Sequence, residues 1–198
     1  MTKLCESLIK KDIDFDCNDI VSRGLEPDGK IMNRSDIDFA KCVFDDTRKN
    51  IVKQLILKTG KKGYDVVQYG GTPWNGVKST LNVGTYHNTW THEIPLVVLN
   101  NSPEVAEDII DGLANGTFVL VVRNRHKGTD GEAEYQIYGY DQGLVASAGE
   151  NDKWSEDTDG GWLITLQEQR APRSAMFLWN SDSTTTATQY ESLSTSKE

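Results

Sequence analysis

The chain has 198 residues, a hydrophobic fraction of 37% and a formal net charge of −9. This length allows one domain with a sizeable core, and the acidic excess argues against a conventional DNA-binding module. The whole excess falls in the second part of the chain, because residues 1–60 are neutral whereas residues 61–198 carry 10 basic and 19 acidic residues.

No part of the sequence predicts a membrane anchor or a disulfide framework. The apolar runs are far shorter than the roughly 20 residues that span a bilayer, and the first residues lack the apolar stretch of a signal peptide. We therefore expect synthesis in a cytoplasm without membrane association. Cys5, Cys17 and Cys42 are odd in number and widely spaced, which predicts reduced thiols.

The first sixty residues divide into an arm and a helix. Residues 1–34 mix polar and turn residues without a period, which predicts an extended N-terminal arm. From Ser35 to Gly60 the apolar residues recur at helical spacing, with Ser35 as the cap and lysines near the end. This pattern predicts a first helix.

The stretch "GGTPWNGVKST", residues 70–80, superficially resembles a phosphate-binding loop. Val77 separates Gly76 from Lys78, whereas the loop needs its lysine directly after the glycine. The residues that follow are β-branched and aromatic, so they predict a strand in place of the helix that would face the phosphates. We interpret residues 70–80 as a turn-rich connection into a long strand or hairpin at 78–99.

The remaining segments predict a second helix and several strands. Residues 102–116 begin with a Ser102 cap and Pro103, then place apolar residues on one face. Strand-like segments precede and follow this helix, and a hydroxyl-rich tail ends the chain. The pattern predicts a mainly β protein with flanking helices, a sandwich or barrel of about seven strands and two helices. Its parts are the arm 1–34, a core 35–180 and a polar tail 181–198.

The sequence contains only weak signals for a catalytic or metal-binding site. His87 and His92 are five residues apart and cannot converge on a metal from one strand or helix face, so we expect them on a strand that faces solvent or a neighbouring subunit. Residues 12–19 resemble the start of a calcium loop but lack its glycine and its final glutamate. The acidic loop 150–159 suits a solvated surface better than a cation site. The sequence thus predicts no cofactor and no enzyme activity.

Several phrases together carry a resemblance: "GLEPDGKIMNRSDIDFA", "GTYHNTWTHEIPLVVLNN", "IIDGLANGTFVLVV", "YQIYGYDQGLVASA" and "DTDGGWLITLQEQRAPRSAMFLWN". They resemble structural proteins of crAss-like tailed bacteriophages of Bacteroides, of the kind that form the stacked rings or tube of a short tail. The resemblance spans about residues 20–180. It implies a tail-tube-like fold, a six-fold or twelve-fold homo-oligomeric ring, adjacent tail or portal-proximal proteins, and a place in the virion after assembly in the host cytoplasm.

A ring subunit needs large interfaces and a conduit that does not bind the DNA passing through it during genome ejection. Aromatic anchors are typical of interfaces, so the candidate interface residues are Trp74, Trp90, Trp154, Trp162 and Trp179. Acidic side chains repel DNA, so the candidate lumen-facing residues are Glu132, Glu134, Asp141, Glu150, Asp152, Glu156, Asp157 and Asp159. The alternative is a monomeric β-sandwich module that stacks exposed aromatic residues on carbohydrate.

Overall fold

The structure, a computed structural model, describes residues 9, 11–13, 17 and 20–195. Within these residues the chain is mainly β, with eleven strands in two sheets and two helices. The seven-stranded sheet has the order β2-β3-β11-β8-β7-β1-β4. Its strands are β1 (Leu25–Asn33), β2 (Val43–Phe44), β3 (Ile51–Gln54), β4 (Tyr64–Val67), β7 (Phe118–Asn124), β8 (Tyr135–Tyr138) and β11 (Met176–Leu178). All of its pairs are antiparallel except β3 with β11.

The four-stranded sheet is antiparallel throughout and has the order β5-β6-β10-β9. Its strands are β5 (Lys78–Asn82), β6 (Thr89–Val98), β9 (Val145–Glu150) and β10 (Trp162–Ala171). The long strands β6 and β10 pair over most of their length and form its centre. Of the two alternatives for residues 78–99, one long strand or a hairpin, the structure has the hairpin, with β5 and β6 as its arms.

The seven-stranded sheet buries both of its faces. Alternate residues of β7 point to opposite sides, so Leu120 and Val122 join the core between the sheets while Val119 and Val121 join a second core. The middle helix (Pro103–Val105, Ala106–Ile110 and Asp111–Asn115) contributes to the core between the sheets. On the other face, Ile37, Leu55 and Leu57, which lie before and after β2 and β3, pack with the C-terminal helix (Ser183–Ser192) in the second core. The continuous apolar run "FVLVV" in β7 follows from this double burial.

The predicted first helix at 35–60 is wrong. Residues Arg34–Asp36 form one turn of 3-10 helix. Of the apolar residues that follow, Val43 and Phe44 lie in β2, and Ile51 and Val52 lie in β3. The carboxylate of Asp45 accepts hydrogen bonds from the backbone N–H groups of Thr47 and Arg48, at 2.9 and 2.8 Å. Such local bonds stabilise a turn at the expense of a helix. Of the predicted apolar face, Ile51, Val52 and Leu55 are buried, whereas Ala40 and Val43 are exposed, because the spacing came from two strands around a turn.

The predicted arm also ends earlier than residue 34. Residues 25–33 form β1, which lies between β7 and β4 inside the seven-stranded sheet. Pro27, Asp28 and Gly29 interrupt its apolar pattern, which is why the sequence did not predict a strand. The register of β1 on β7 shifts between Leu25 and Gly29, an irregularity that accommodates these residues.

The second predicted helix is confirmed, with one change of face. The Ser102 hydroxyl accepts a hydrogen bond from the N–H of Val105, and Pro103 occupies the first turn as predicted. A π-helical segment, Ala106–Ile110, interrupts the α-helix. Because its wider turn shifts the side chains that follow, Ile110 is buried and Ile109 remains exposed. No helix in the described part of the chain is long and apolar enough to cross a membrane.

The predicted polar tail forms the C-terminal helix as far as the structure describes it. Asp182 caps this helix by accepting a hydrogen bond from the N–H of Thr185 at 2.8 Å. Tyr190 and Leu193 are buried in the core, and Lys30 of β1 pairs with Glu191 at 3.0 Å. The helix therefore packs on its own subunit, because two large side chains and one buried lysine hold it there.

Candidate functional site

Trp74 lies in the connection 70–77 and is only 4% exposed. Its indole packs so closely on Gly29 that a Cβ there would come within 2.7 Å of the ring. The indole N–H donates a hydrogen bond to the backbone oxygen of Glu26 at 2.8 Å. Trp74 thus holds the connection against β1, and the hypothesis that it is a subunit-interface anchor is wrong.

The other tryptophans differ in exposure. Trp154 is 93% exposed in the loop between β9 and β10. Trp90, Trp162 and Trp179 are half-buried, with Trp90 opposite Ala171 and Trp162 opposite Val98 in the pairing of β6 with β10. Lys153 lies 5.9 Å from the Trp162 ring centre. Only these four retain surface for an interface, and their part in one stays a prediction.

The acidic residues between 132 and 141 lie beside basic partners or backbone N–H groups. Glu134 is buried and pairs with Arg123 at 2.7 Å and with Lys127 at 3.2 Å. The hypothesis that Glu134 faces a lumen is therefore wrong. Asp141 pairs with Arg173 at 3.0 Å, and burial raises the pKa of its carboxyl although Arg173 opposes this. Glu132 accepts a hydrogen bond from the N–H of Asp130 within the same turn.

The acidic residues between 150 and 159 form one exposed cluster at an end of the four-stranded sheet. Glu150 ends β9, and the others lie in the loop that leads to β10. All five are exposed: Glu150, Asp152, Glu156, Asp157 and Asp159. Lys153 lies among them and donates a hydrogen bond to the side-chain oxygen of Asn101 at 2.9 Å.

His92 is buried, so the expectation that it faces solvent or a neighbour is wrong, whereas His87 is exposed in the hairpin turn. The Nε2 atom of His92 donates a hydrogen bond to the backbone oxygen of Arg173 at 3.1 Å. Its Nδ1 atom therefore accepts one from the Ser79 hydroxyl at 2.7 Å. A hydroxyl bonded to an imidazole resembles part of a catalytic triad, but the facing carboxylate of Glu168 is directed elsewhere.

Glu168 is buried in the inner face of β10, opposite His92. Its two oxygens accept hydrogen bonds from the backbone N–H groups of Gly139 and Gln142, both at 2.8 Å. These residues belong to the turn that follows β8 in the other sheet. Glu168 therefore joins the two sheets, and its role in this arrangement is structural.

We expect Glu168→Ala to lower the free energy of unfolding by about 2–3 kcal/mol, because it leaves two buried N–H groups without their charged acceptor. Glu168→Gln keeps the shape but presents an amide N–H to a backbone N–H, so it should also destabilise. Urea denaturation followed by tryptophan fluorescence measures both. Gln169→Ala, an exposed change at the next residue, should have no effect. A Glu168→Gln variant as stable as the unmodified chain would contradict this role.

No group of three or more metal-ligating side chains occurs in the described residues. The stretch 12–19, considered as a calcium loop, falls mostly outside those residues. Residues 70–77 lead into strand β5, as the sequence predicted, and no helix follows them to face a phosphate.

Most sheet edges carry features that prevent pairing with another chain. Strand β2 is two residues long and precedes the charged turn 45–49, and β4 carries Asp65. The part of β6 beyond the end of β5 contains Pro95, which has no N–H. There the side-chain amide of Gln68 binds both the N–H and the carbonyl of Val97, at 2.9 and 3.1 Å. Short strands, charges, proline and side-chain caps are typical protections of edges.

The two edges of the four-stranded sheet carry fewer of these features: β5 has one lysine, and β9 has one register shift and ends at Glu150. All five residues of β5 are exposed, and its only charged residue, Lys78, already pairs with Glu93 at 2.9 Å. Strand β9 has the sequence "VASAGE" and is exposed at five of its six residues, with one register shift against β10. Neither edge contains proline. Both therefore offer backbone N–H and C=O groups to a further strand.

A cleft of about 1170 Å³ opens at one end of the space between the sheets. Residues 64–72 and 74–75 form one wall, residues 95–99 the other, and residues 108–113 of the middle helix contribute Asp108, Ile109, Gly112 and Leu113 to its lining. Its rim exposes Tyr69, Leu99 and Ile109. The sequence did not predict this cleft, because it depends on how far two sheets diverge.

Comparison of the chain with protein-family models, curated proteins and solved structures finds no match.

Proposed function

We propose that the chain is a ring- or tube-forming structural subunit of a phage tail, in which copies join side by side through the four-stranded sheet. The observation that carries this proposal is the pair of open edges, β5 on one side of the sheet and β9 on the other. A surface that differs from its partner surface gives head-to-tail contacts, and such contacts form rings when the rotation closes.

The directions of the strands are compatible with a ring that closes by rotation. In the order β5-β6-β10-β9 every neighbouring pair is antiparallel, so β5 and β9 run in opposite directions. If copies turn about an axis along the strands, β9 of one copy meets β5 of the next as an antiparallel pair. The alternation then continues around the ring, and no open edge remains.

The outer face of this sheet would form the wall of the conduit. The inner face carries Ile94, Leu96, Ile164 and Leu166 into the core, so the alternating residues point outward. They include Thr80, Asn82, Thr91, Thr165 and Gln167. The charged residues Lys78 and Glu93 neutralise each other on this face. The same alternation places the apolar residues Val97, Leu163 and Val145 on this face. The wall therefore mixes polar and apolar side chains and carries few charges, so it offers DNA few cationic contacts.

The acidic residues then have a different place from the one the sequence suggested. The loop with Asp152, Glu156, Asp157 and Asp159 connects two strands at the end of the sheet. In a ring it would form an acidic collar at one mouth of the conduit instead of lining its wall. A collar of this kind repels phosphate over about one Debye length, roughly 8 Å at physiological salt.

Lysine substitutions at the two edges test the proposal. Thr80→Lys and Ala148→Lys place a charge in the centre of β5 and of β9, where a neighbouring strand would pair. We expect the unmodified chain to form rings by negative-stain imaging and analytical ultracentrifugation, and each edge variant to remain monomeric. Thr129 is also exposed but lies in the loop between β7 and β8 of the seven-stranded sheet, so Thr129→Lys should leave the rings intact.

Two results would oppose the proposal. Edge variants that assemble as well as the unmodified chain would show that β5 and β9 are not the contact. A monomer that binds glycans on an array would favour the carbohydrate-binding alternative.

A further inference from the structure

The chain segment before β1, residues 1–24, is an arm with exposed apolar side chains. All of its described residues are exposed: residues 9, 11–13, 17 and 20–24. Among them, Ile13, Ile20 and Val21 are 95%, 65% and 76% exposed. An arm that folded back over its own subunit would remove such side chains from water. The described part of the arm therefore leaves its apolar side chains available to a second molecule.

The sequence of the arm contains two parts of opposite charge. Residues 3–11, "KLCESLIKK", carry three lysines and one glutamate beside the apolar residues Leu4, Leu8 and Ile9. Residues 12–19, "DIDFDCND", carry four aspartates and no basic residue. An acidic surface would therefore attract the first part and repel the second.

The cleft between the sheets is such an acidic surface. None of the described residues that line it is Lys, Arg or His, and three exposed carboxylates line it, those of Asp108, Glu156 and Asp157. Within the described chain, no salt bridge neutralises any of these three. A fourth acidic residue, Asp65, is already paired with Lys30. Three carboxylates of the cleft therefore remain available to cations from another molecule.

The cleft also presents apolar surface of the size that a peptide segment needs. Its volume of about 1170 Å³ exceeds the roughly 300–1,000 Å³ of small-molecule pockets. Exposed apolar side chains lie at its rim, those of Tyr69, Leu99 and Ile109. A segment that combines lysines with leucines matches both the carboxylates and this apolar rim.

Other basic segments of the chain match the cleft less well. In the turn before β4, "KTGKK", Lys58 donates a hydrogen bond to the backbone oxygen of Ser35 at 2.7 Å, and Lys61 pairs with Asp36 at 3.5 Å. In the segment 123–127, "RNRHK", the first and last residues pair with Glu134. Neither segment contains an apolar residue, whereas residues 3–11 contain three.

The arm is long enough to reach a second copy. Residues 12–24, which connect the basic part to β1, number 13. At about 3.3 Å per residue they span up to about 40 Å. A compact domain of about 170 residues has a radius of gyration of only about 15 Å. The basic part of the arm can therefore lie on a neighbouring subunit.

We propose that residues 3–11 of the arm of one copy dock in the cleft of a neighbouring copy. The lysines pair with the carboxylates of Asp108, Glu156 and Asp157, and the apolar residues of the segment contact the apolar rim. The proposal rests on the proposed function in that it needs an assembly of identical copies. It uses neither β5 nor β9, so the failures of the two contacts can be separated.

Photo-crosslinking identifies the surface on which the arm docks. Ser7 is replaced by the photoreactive residue benzoylphenylalanine, which leaves the lysines and apolar residues of the segment in place, and the variant is mixed with ¹⁵N-labelled unmodified chain before irradiation. We expect crosslinks to labelled peptides that line the cleft, those with residues 64–75, 95–99, 108–113 or 156–158. The same photoreactive residue at Thr129, in the loop between β7 and β8, should not crosslink to them. Crosslinks only within one copy, only to other surfaces, or none at all would overturn the proposal.

A charge-reversal series tests the pairing of lysines with carboxylates. It is measured by sedimentation equilibrium at low salt in the Ala148→Lys background, which removes side-by-side assembly if the ring contact is correct. We expect the double change Lys10→Glu and Lys11→Glu to weaken the association of copies about tenfold, because it places like charges in the cleft. Adding Asp108→Lys and Asp157→Lys to that variant should restore the association.

The matched control is the double change Arg48→Glu and Lys49→Glu, which reverses two adjacent exposed charges between β2 and β3 and should change nothing. If the arm variant associates as strongly as this control, or if the changes in the cleft do not restore its association, the docking proposal is wrong. If the Ala148→Lys background still forms rings while the arm series behaves as expected, the side-by-side proposal fails and the arm contact stands.

Discussion

Trp74→Ala is expected to lower the free energy of unfolding by about 3–5 kcal/mol, the usual range for removal of a buried tryptophan. The indole fills the space over Gly29 and packs into the core between the sheets. Its N–H also satisfies the backbone oxygen of Glu26, which would lose its partner. Chemical denaturation followed by circular dichroism measures the change without dependence on tryptophan fluorescence.

Trp154→Ala is the matched control, because that side chain is almost fully exposed and should change stability by less than about 0.5 kcal/mol. Gly29→Ala tests the same contact from the other side, since the new methyl group would overlap the Trp74 ring. If Trp74→Ala has the same free energy of unfolding as the unmodified chain, the connection 70–77 is not held by this side chain.

Tyr190→Ala should have an effect of similar size, about 3–5 kcal/mol. Tyr190 is 1% exposed, and its ring lies 4.6 Å from that of Tyr135, measured between centres. Its hydroxyl donates a hydrogen bond to Asp28 at 3.2 Å, and the ammonium group of Lys30 lies 5.1 Å from its ring centre. The substitution would remove the main contact that holds the C-terminal helix on β1 and β8.

Hydrogen exchange with mass spectrometry distinguishes loss of the helix from loss of the whole fold. We expect Tyr190→Ala to lower protection at 183–192 more than in β7. Tyr190→Phe removes only the hydroxyl, so it should cost about 1 kcal/mol. Tyr86→Ala is the control, because its side chain is exposed. Full protection of 183–192 in the Tyr190→Ala variant would contradict the packing described above.

The sequence predicted those elements whose local signals agree with their packing. The helix from Pro103 begins with a capping serine and a proline, and both perform their predicted roles in the structure. The hairpin of β5 and β6 was predictable from β-branched and aromatic residues on both sides of a glycine turn. The mainly β class with flanking helices followed from such segments, and the two sheets confirm it.

The missed elements are those in which tertiary packing overrides the local pattern. Helical spacing at 35–60 arose from two strands around an aspartate turn, and β1 contains proline and glycine within a central strand. The C-terminal helix has few apolar residues, but two of them, Tyr190 and Leu193, enter the core together. Amino-acid composition alone does not show that Tyr190 and Leu193 lie on one face that packs against a strand far away in the sequence.

The candidate site was predictable only in part, for a similar reason. Sequence reasoning chose tryptophans as interface anchors, yet Trp74 is buried by its contact with Gly29, a residue 45 positions away. It chose acidic residues for a lumen, yet Glu134 is paired with Arg123. The open edges of β5 and β9 and the cleft between the sheets depend on strand order, which the pattern of residues alone does not specify.

A cryo-electron microscopy map of the assembled protein tests the central claim most directly, because it shows which strands meet between copies. We expect a closed ring in which β9 of each copy forms an antiparallel pair with β5 of the next, and in which Thr165 and Gln167 face the channel. A ring whose copies meet through other surfaces, with β5 and β9 apart, would contradict the account, as would a protein that remains monomeric at every concentration tested.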